Sequence, residues 1–394
     1  MKTVQFACVF SIALWLRPEP TPGQTTTTPL AEGRKQVESL LNQNYANLDL
    51  LYKYFHSNPE LSLREEKTSE RLASELEQLG FKVTRRVGGY GVVAVLQNGA
   101  GPTILVRTDM DALPVTEQTG VPYASTIKTT DDKGNTVGVM HACGHDMHMT
   151  VFLGTARVLT QLKDRWHGTL VMIGQPAEER VQGARAMLAD GLFTRFPKPD
   201  YCVALHCNAE LPASTVGATE GFALANVDSL DIVIRGVGGH GAWPHKAKDP
   251  VVLAAQTVLA LQTIVSRETE PIEPAVVTVG SIHGGTKYNI IPDEVRLQLT
   301  LRSYSDEVRN HTLEAVKRIT RGLAQAAGLP EDRLPTVTLA DESASATYND
   351  PELTRRLDKT FRSWLGEART TKTKPTMGAE DFGLYSRTKE KIPS

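Results

Sequence analysis

The chain is short of cysteine, of aromatic residues and of any excess of charge. Its 394 residues include four cysteines, and Phe, Trp and Tyr together make up 6%. Cys8 lies in an apolar N-terminal run, which leaves Cys143, Cys202 and Cys207, three thiols that cannot all pair. Cys202 and Cys207 fall in one segment read as a strand, whose five steps span roughly 16 Å, beyond disulfide reach. A disulfide-stapled scaffold is excluded. The formal net charge is -2, with acids and bases interspersed. No basic block or basic amphipathic helix stands out, which argues against nucleic acid or a membrane surface as partner. The apolar run at 4–16 behind Lys2 is too short to span a bilayer. It reads as a secretory signal and predicts a secreted or periplasmic protein. Residues 1–32 are expected to be this signal followed by an unstructured Pro- and Thr-rich leader.

What is present is ordinary for a globular protein: 40% apolar and 22% charged residues. The length favours two domains. Helical spacing of apolar residues predicts helices over 34–54 and 65–79, with Gly80 as a C-terminal cap. Strands are expected over 81–87, 91–97, 101–107, 169–173 and 201–206, with helices over 147–162 and 184–192. This alternation, with nearly continuous apolar strands, predicts an α/β domain with a largely parallel sheet flanked by helices. From residue 216 the pattern becomes strand, helix, strand, strand, helix, with a further short strand near 335–339. That order predicts an inserted α+β module of ferredoxin-like type. The expected division is 33–215 for the first part of the α/β domain, 216–333 for the insert and 334–394 for the second part.

Two stretches carry chemistry. HACGHDMH at 141–148 packs three histidines, a cysteine and an aspartate into eight residues. QPAEE at 175–179 puts two carboxylates at the end of an apolar run. Imidazole, thiolate and carboxylate are ligands of zinc and related divalent ions. Cys143 and His145 form a C-x-H pair on a tight turn that Gly144 permits, and they can bind one metal or supply one ligand to each of two. Of Glu178 and Glu179, one carboxylate can coordinate while the other shuttles a proton; we assign Glu178 as shuttle and Glu179 as ligand, although spacing alone does not order them. His206 is read as ending a strand at the same sheet edge. Asp109 and Asp111 end another strand, where they can orient a ligand histidine or cap a turn. In GGHGAWPH at 238–245, His240 is a candidate donor to a developing oxyanion. Asn289 and Arg302 are candidates for a substrate carboxylate. A thiol hydrolase with Cys143 as nucleophile is a rival reading.

HACGHDMH, QPAEE, GGHGAWPH, NIIPD and MGAEDF, in this order, resemble the amidohydrolase branch of the aminoacylase/carboxypeptidase G-type metallopeptidases. That branch includes hippurate hydrolases, N-acyl-amino-acid amidohydrolases and auxin-conjugate hydrolases. HSNPEL at 56–61 and RTDMDALP at 107–114 fit as well. The resemblance implies a two-metal catalytic domain, an inserted dimerisation or lid domain, and a homodimer. It implies hydrolysis of the amide of an N-acyl amino acid or small peptide, with zinc or manganese as the metals and cobalt or nickel as alternatives. It places metal ligands on Cys143, His145, Glu179 and His206, the general base on Glu178 and a carbonyl-polarising histidine on His240. Asn289 and Arg302 match positions near the substrate carboxylate. The resemblance also leads one to expect a further ligand histidine beyond MGAEDF, and no His follows His311 in this sequence. The matching expectation is a C-terminally truncated catalytic domain, with a catalytically impaired metal- or ligand-binding relative as the alternative.

Overall fold

A computed structural model describes residues 27–394. The expected signal run at 4–16 lies outside the described residues. The backbone is helical from Thr27, so residues 27–32, expected to be part of an unstructured leader, are helical. The chain divides into two compact units.

The first unit comprises the described residues up to Gly221, with Tyr348–Lys374 and Asp381–Ser394. Its strands include β1 (Lys82–Thr84), β2 (Val92–Asn98), β3 (Thr103–Asp109), β4 (Lys128–Thr130), β5 (Thr136–Gly138), β6 (Gly168–Gln175) and β7 (Tyr201–Val203). Five of them form a sheet in the order β1-β2-β6-β3-β7. β3 pairs in parallel with β6 and β7, whereas β1 with β2 and β2 with β6 run antiparallel. The sheet is therefore mixed, not largely parallel as expected. The reason is local: the turn around Gly88 and Gly89, both at positive φ, joins β1 to β2 as a hairpin, and a short connection can only join antiparallel neighbours.

Three helices matter for the core: α1 (Thr27–Ser57), α2 (Glu66–Gln78) and α3 (His145–Gln161). Successive strand residues point to opposite faces, and both faces are covered. Val92, Ala94, Ile104, Val106, Leu170 and Met172 pack with Leu48, Leu72, Leu76 and Leu153 of the helices. Val93, Leu105, Val171 and Ile173 pack on the other side with Met187, Leu192 and Tyr385. Burial on both faces explains the continuous apolar runs, each fully buried Leu or Ile contributing roughly 1.5–3 kcal/mol. This two-sided packing fixes where β3 and β6 end, and Asp109 stands in register with Gln175.

The second unit is Phe222–Thr347 with Pro375–Glu380. Its four-stranded sheet runs in the order Ala275–Gly284, Glu294–Ser303, Val227–Arg235, Thr336–Ala344, all antiparallel. The strand Thr336–Ala344 belongs here because it pairs with Val227–Arg235, so this unit continues past residue 333. Helices Pro250–Thr263 and Asp306–Ala326 cover one face, burying Leu253, Leu261, Val316 and Ala324 against Leu230, Ile232, Leu297 and Leu299. The segment Pro250–Glu268 is long and apolar enough to cross a membrane. Its burial of Leu253, Ala254, Leu261 and Ile264 makes it a core helix of this unit.

Candidate metal centre

The centre lies where β3 and β6 end and α3 begins. Gly144, at φ 82°, is the N-cap of α3; a side chain is strained in that conformation. The turn sets Cys143 just before the helix and His145 as its first residue. Asp146 in the first turn suits the positive end of the helix dipole.

His145 is the hub. Its Nδ1 donates to the Asp111 carbonyl at 2.7 Å. That fixes the tautomer and aims Nε2 at three carboxylates: Asp109 Oδ2 at 3.7 Å, Glu179 Oε1 at 3.7 Å and Glu178 Oε2 at 3.8 Å. Cys143 Sγ lies 3.3 Å from His206 Nε2. Cys143, His145 and His206 each offer a ligand atom within 4.8 Å of the others, and His145, Glu178 and Glu179 form a second such set. The four expected ligands and the expected base thus converge in one unit. His206 arrives by a different route than expected. β7 stops at Val203, so His206 and Cys207 sit in the following loop, where the His206 Nδ1 pairs with the Cys207 carbonyl at 2.6 Å. No disulfide joins Cys143, Cys202 and Cys207 among the described residues.

His148 is committed elsewhere. Its Nδ1 meets Asp109 Oδ1 at 2.7 Å, and its Nε2 accepts the Cys207 amide at 2.9 Å. His141 is buried with neither ring nitrogen hydrogen-bonded among the described residues, and burial drives its pKa down to about 4.

The charges of the cluster are strongly coupled. Burial opposes ionisation of Asp109, yet His145, His148 and Arg107 outweigh it and hold the carboxyl well below its usual range. Burial likewise works against a charged His145, but Asp109 and the hydrogen bond to Asp111 raise its pKa well above normal. Glu179 is pushed up, first by burial. Around Cys143 the interaction with His145 favours the thiolate, but burial and the Glu179 charge outweigh it and raise the thiol pKa.

The donor set fits divalent metal. Among the described residues, His145 Nε2 and Glu179 Oε1 are buried without a hydrogen-bond partner, a costly state unless another group binds there. Ligand atoms about 2.0–2.3 Å from a tetrahedral ion lie about 3.3–3.8 Å from one another. The 3.3 Å and 3.7 Å separations here match that span.

Several supporting residues had no warning in spacing or periodicity. Arg107 donates to Asp109 Oδ2 at 2.7 Å and to Gln175 Oε1 at 3.0 Å. Asp381 accepts from Gln175 at 2.6 Å and from the Ala184 amide at 2.9 Å, and Tyr385 donates to Gln175 at 2.8 Å. These contacts join residues far apart in sequence, and only their presence in quoted motifs (RTDMDALP, QPAEE, MGAEDF) hinted at a role. His56 lies between Asp146 at 2.7 Å and Glu117 at 3.0 Å. The hydrogen bond to Asp146, then that to Glu117, raises its pKa from 6.5 to about 9 against burial. A raised folded-state pKa stabilises fully below the unfolded value and loses that contribution as pH rises through the folded value. The difference in melting temperature between the wild type and His56→Gln should therefore be largest below pH 6.5 and fade by about pH 9. Calorimetry at several pH values checks this; a pH-independent difference contradicts the ion pair.

The remaining expected residues lie in the second unit. His240 stands opposite Ile290 in a two-stranded pairing, and the Asn289 carbonyl accepts the Gly241 amide at 2.9 Å. The His240 Nδ1 accepts the Ala242 amide at 3.1 Å, which leaves the ring proton on Nε2. Arg302 is half-buried and donates to Thr300 Oγ1 and the Met377 carbonyl, each at 3.2 Å.

Known proteins are similar to this chain over most of its length. Residues 105–394 match the profile of Peptidase family M20/M25/M40. A hippurate hydrolase from Campylobacter jejuni is 36% identical over 337 residues, 85% of this chain and 84% of the relative. Thermostable carboxypeptidase 2 from Saccharolobus solfataricus is 36% identical over 334 residues, 84% of this chain and 80% of its own length. The crystal structure of Bacillus subtilis YXEP, described as a dinuclear metal binding peptidase of the M20 family, superposes with a TM-score of 0.73 at 30% identity, covering 90% or nearly so of each chain, 89% here and 87% there. With a Cys/His/Glu donor set gathered around the buried His145 and these relatives across most of its length, the chain belongs to Peptidase family M20/M25/M40 and is a metal-dependent hydrolase of the amidohydrolase/peptidase type.

Proposed function

We propose that the chain hydrolyses the amide bond of N-acyl amino acids or small peptides, with two divalent ions held by Cys143, His145, Glu179 and His206. The observation that carries this reading is the convergence of two ligand sets on His145, whose buried Nε2 faces Glu178 and Glu179. The dinuclear centre named for the Bacillus subtilis relative and the hydrolase and carboxypeptidase names of the others support it. Zinc and manganese are the first candidates, with cobalt and nickel next.

Divalent ions bound there would acidify a water molecule and polarise the scissile carbonyl. Glu178, buried and 3.8 Å from the His145 ring nitrogen, takes the proton of the attacking water. It then returns that proton to the leaving amine. Asp111 orients His145 through its carbonyl and accepts the Glu179 amide through its carboxylate at 3.0 Å. Asp109 fixes His148, which holds the Cys207 amide beside His206. His240, with its proton on Nε2, is assigned as hydrogen-bond donor to the oxyanion, and Asn289 and Arg302 are assigned to the substrate carboxylate. The raised pKa of Cys143 works against its use as a thiolate nucleophile.

The test is metal analysis of purified protein, with hydrolysis of an acyl-amino-acid panel measured before and after adding each metal. Two ions per chain with metal-dependent release of the amino acid is the expected result. Metal-independent hydrolysis that iodoacetamide abolishes sinks the proposal.

The second unit, with its strand–helix–strand–strand–helix–strand order, is assigned as the lid and dimerisation module. In support, Val252 and Leu259, seven residues apart and so on one helix face, are 54% and 73% exposed, and Ile282 on the outer strand is 52% exposed. Val252→Glu combined with Leu259→Glu should convert a dimer to monomer in sedimentation at micromolar concentration. A wild type that sediments as a monomer excludes the homodimer.

A further inference from the structure

The segment that carries both glutamates is tightly wound. Ala177 and Val181 are non-glycine residues in the left-handed region, at φ 50° and 49°. The Ala177 carbonyl accepts the amides of Gln182 and Gly183 at 3.1 and 3.2 Å, and the Glu178 carbonyl accepts that of Val181 at 2.7 Å. At Gly183 a Cβ would lie 1.6 Å from the Pro176 carbonyl oxygen. Left-handed geometry at residues with a side chain persists only where the surroundings impose it. At Ala177 the imposing group is visible. Glu65, fully buried, sits at the start of α2 yet does not cap that helix. One of its carboxylate oxygens accepts the Ala177 amide at 2.7 Å and the Leu63 amide at 2.9 Å. Leu63 is itself left-handed, at φ 66°. A single oxygen thus pins two left-handed residues from segments more than a hundred positions apart. Its second oxygen is buried with no hydrogen-bond partner among the described residues. The neighbouring Ser62 donates to Asp111 Oδ2 at 2.6 Å, and that oxygen also accepts the Glu179 amide. Residues 62–65 therefore grip the glutamate segment at two points.

We propose that Glu65 is a positioning residue: by holding the Ala177 amide it keeps the turn that aims Glu178 and Glu179 at His145. The proposal rests on Glu178 as proton shuttle and Glu179 as ligand. What the turn needs from Glu65 is an acceptor at the right reach, which a glutamine carbonyl also provides. Aspartate keeps the charge but withdraws the acceptor by one methylene. Leucine fills the space and offers no acceptor.

The experiment compares Glu65→Gln, Glu65→Asp and Glu65→Leu in the full chain. Hydrogen–deuterium exchange of the peptide 174–183, metal content, kcat and KM are measured. Glu65→Gln should keep the exchange protection and hold kcat within about twofold of wild type. Glu65→Asp and Glu65→Leu should speed exchange of that peptide about tenfold and lower kcat by about 30- to 100-fold. Their KM should stay within about threefold, because a misaimed shuttle weakens the transition state more than substrate binding. A merely structural role would instead lower the amount of folded protein and leave kcat per active site unchanged. The proposal is overturned if Glu65→Asp keeps wild-type protection and kcat, or if Glu65→Gln is as damaging as Glu65→Leu. Should Glu65→Leu fail to fold, the Gln and Asp pair still decides. A wild type that hydrolyses nothing defeats the shuttle assignment, whereas the exchange measurement still decides whether Glu65 holds the turn.

Discussion

Replacing Glu178 by Gln should lower kcat by about a thousandfold or more, at the upper end of what general acid–base groups contribute, while leaving metal content and fold intact. Two features make the effect large. The carboxylate is buried, with its Oε2 3.8 Å from the His145 ring nitrogen, which places it among the candidate ligands. In the proposed mechanism it also acts twice, as base toward the attacking water and as acid toward the leaving amine, and an amide can do neither. Because the glutamine side chain is nearly isosteric, the winding at Ala177 and Val181 should survive and Glu179 should stay in place. The measurement is steady-state kinetics beside metal analysis and melting temperature. Retained turnover would remove Glu178 from the mechanism; lost metal would instead move it into the ligand set.

Stripping metal with a chelator should abolish hydrolysis and lower the melting temperature, and reloading should restore both. Here the size follows from linkage. A ligand that binds the folded state a thousandfold above its Kd stabilises it by roughly 4 kcal/mol, worth about 8–16 °C for a unit of this size. The local chemistry points the same way. Among the described residues, His145 Nε2 and Glu179 Oε1 have no hydrogen-bond partner, and Asp109, Asp111 and Glu179 crowd around one imidazole. The buried Arg107 compensates Asp109 by direct contact, at 2.7 Å. Calorimetry on metal-loaded, stripped and reloaded protein checks this; equal melting temperatures with unchanged activity would contradict a metal centre.

How much of this was legible in the sequence differs from residue to residue. Cys143, His145, Glu178 and Glu179 lie in two short motifs, so local spacing alone marked them. His206 was marked for the wrong local reason, since β7 ends at Val203 and a loop brings it to Cys143. The mixed sheet was missed because strand composition reports burial on both faces, and burial does not encode strand direction; the hairpin at Gly88 and Gly89 does. Glu65 was invisible, because its charged side chain looks like any solvated residue at a helix start. Its role is created by a contact with Ala177, 112 positions away.

By itself the sequence determined the candidate ligand types, the two-sided burial of β3 and β6, and the family, because each of these depends on residues adjacent in the chain or repeating at a fixed period. Only the tertiary structure decided which atoms converge on His145, which histidines are committed to support, and what holds the glutamates in their turn. Those outcomes depend on contacts between distant segments, whose geometry is set by how helices and sheet pack together and by the need to satisfy every buried polar group.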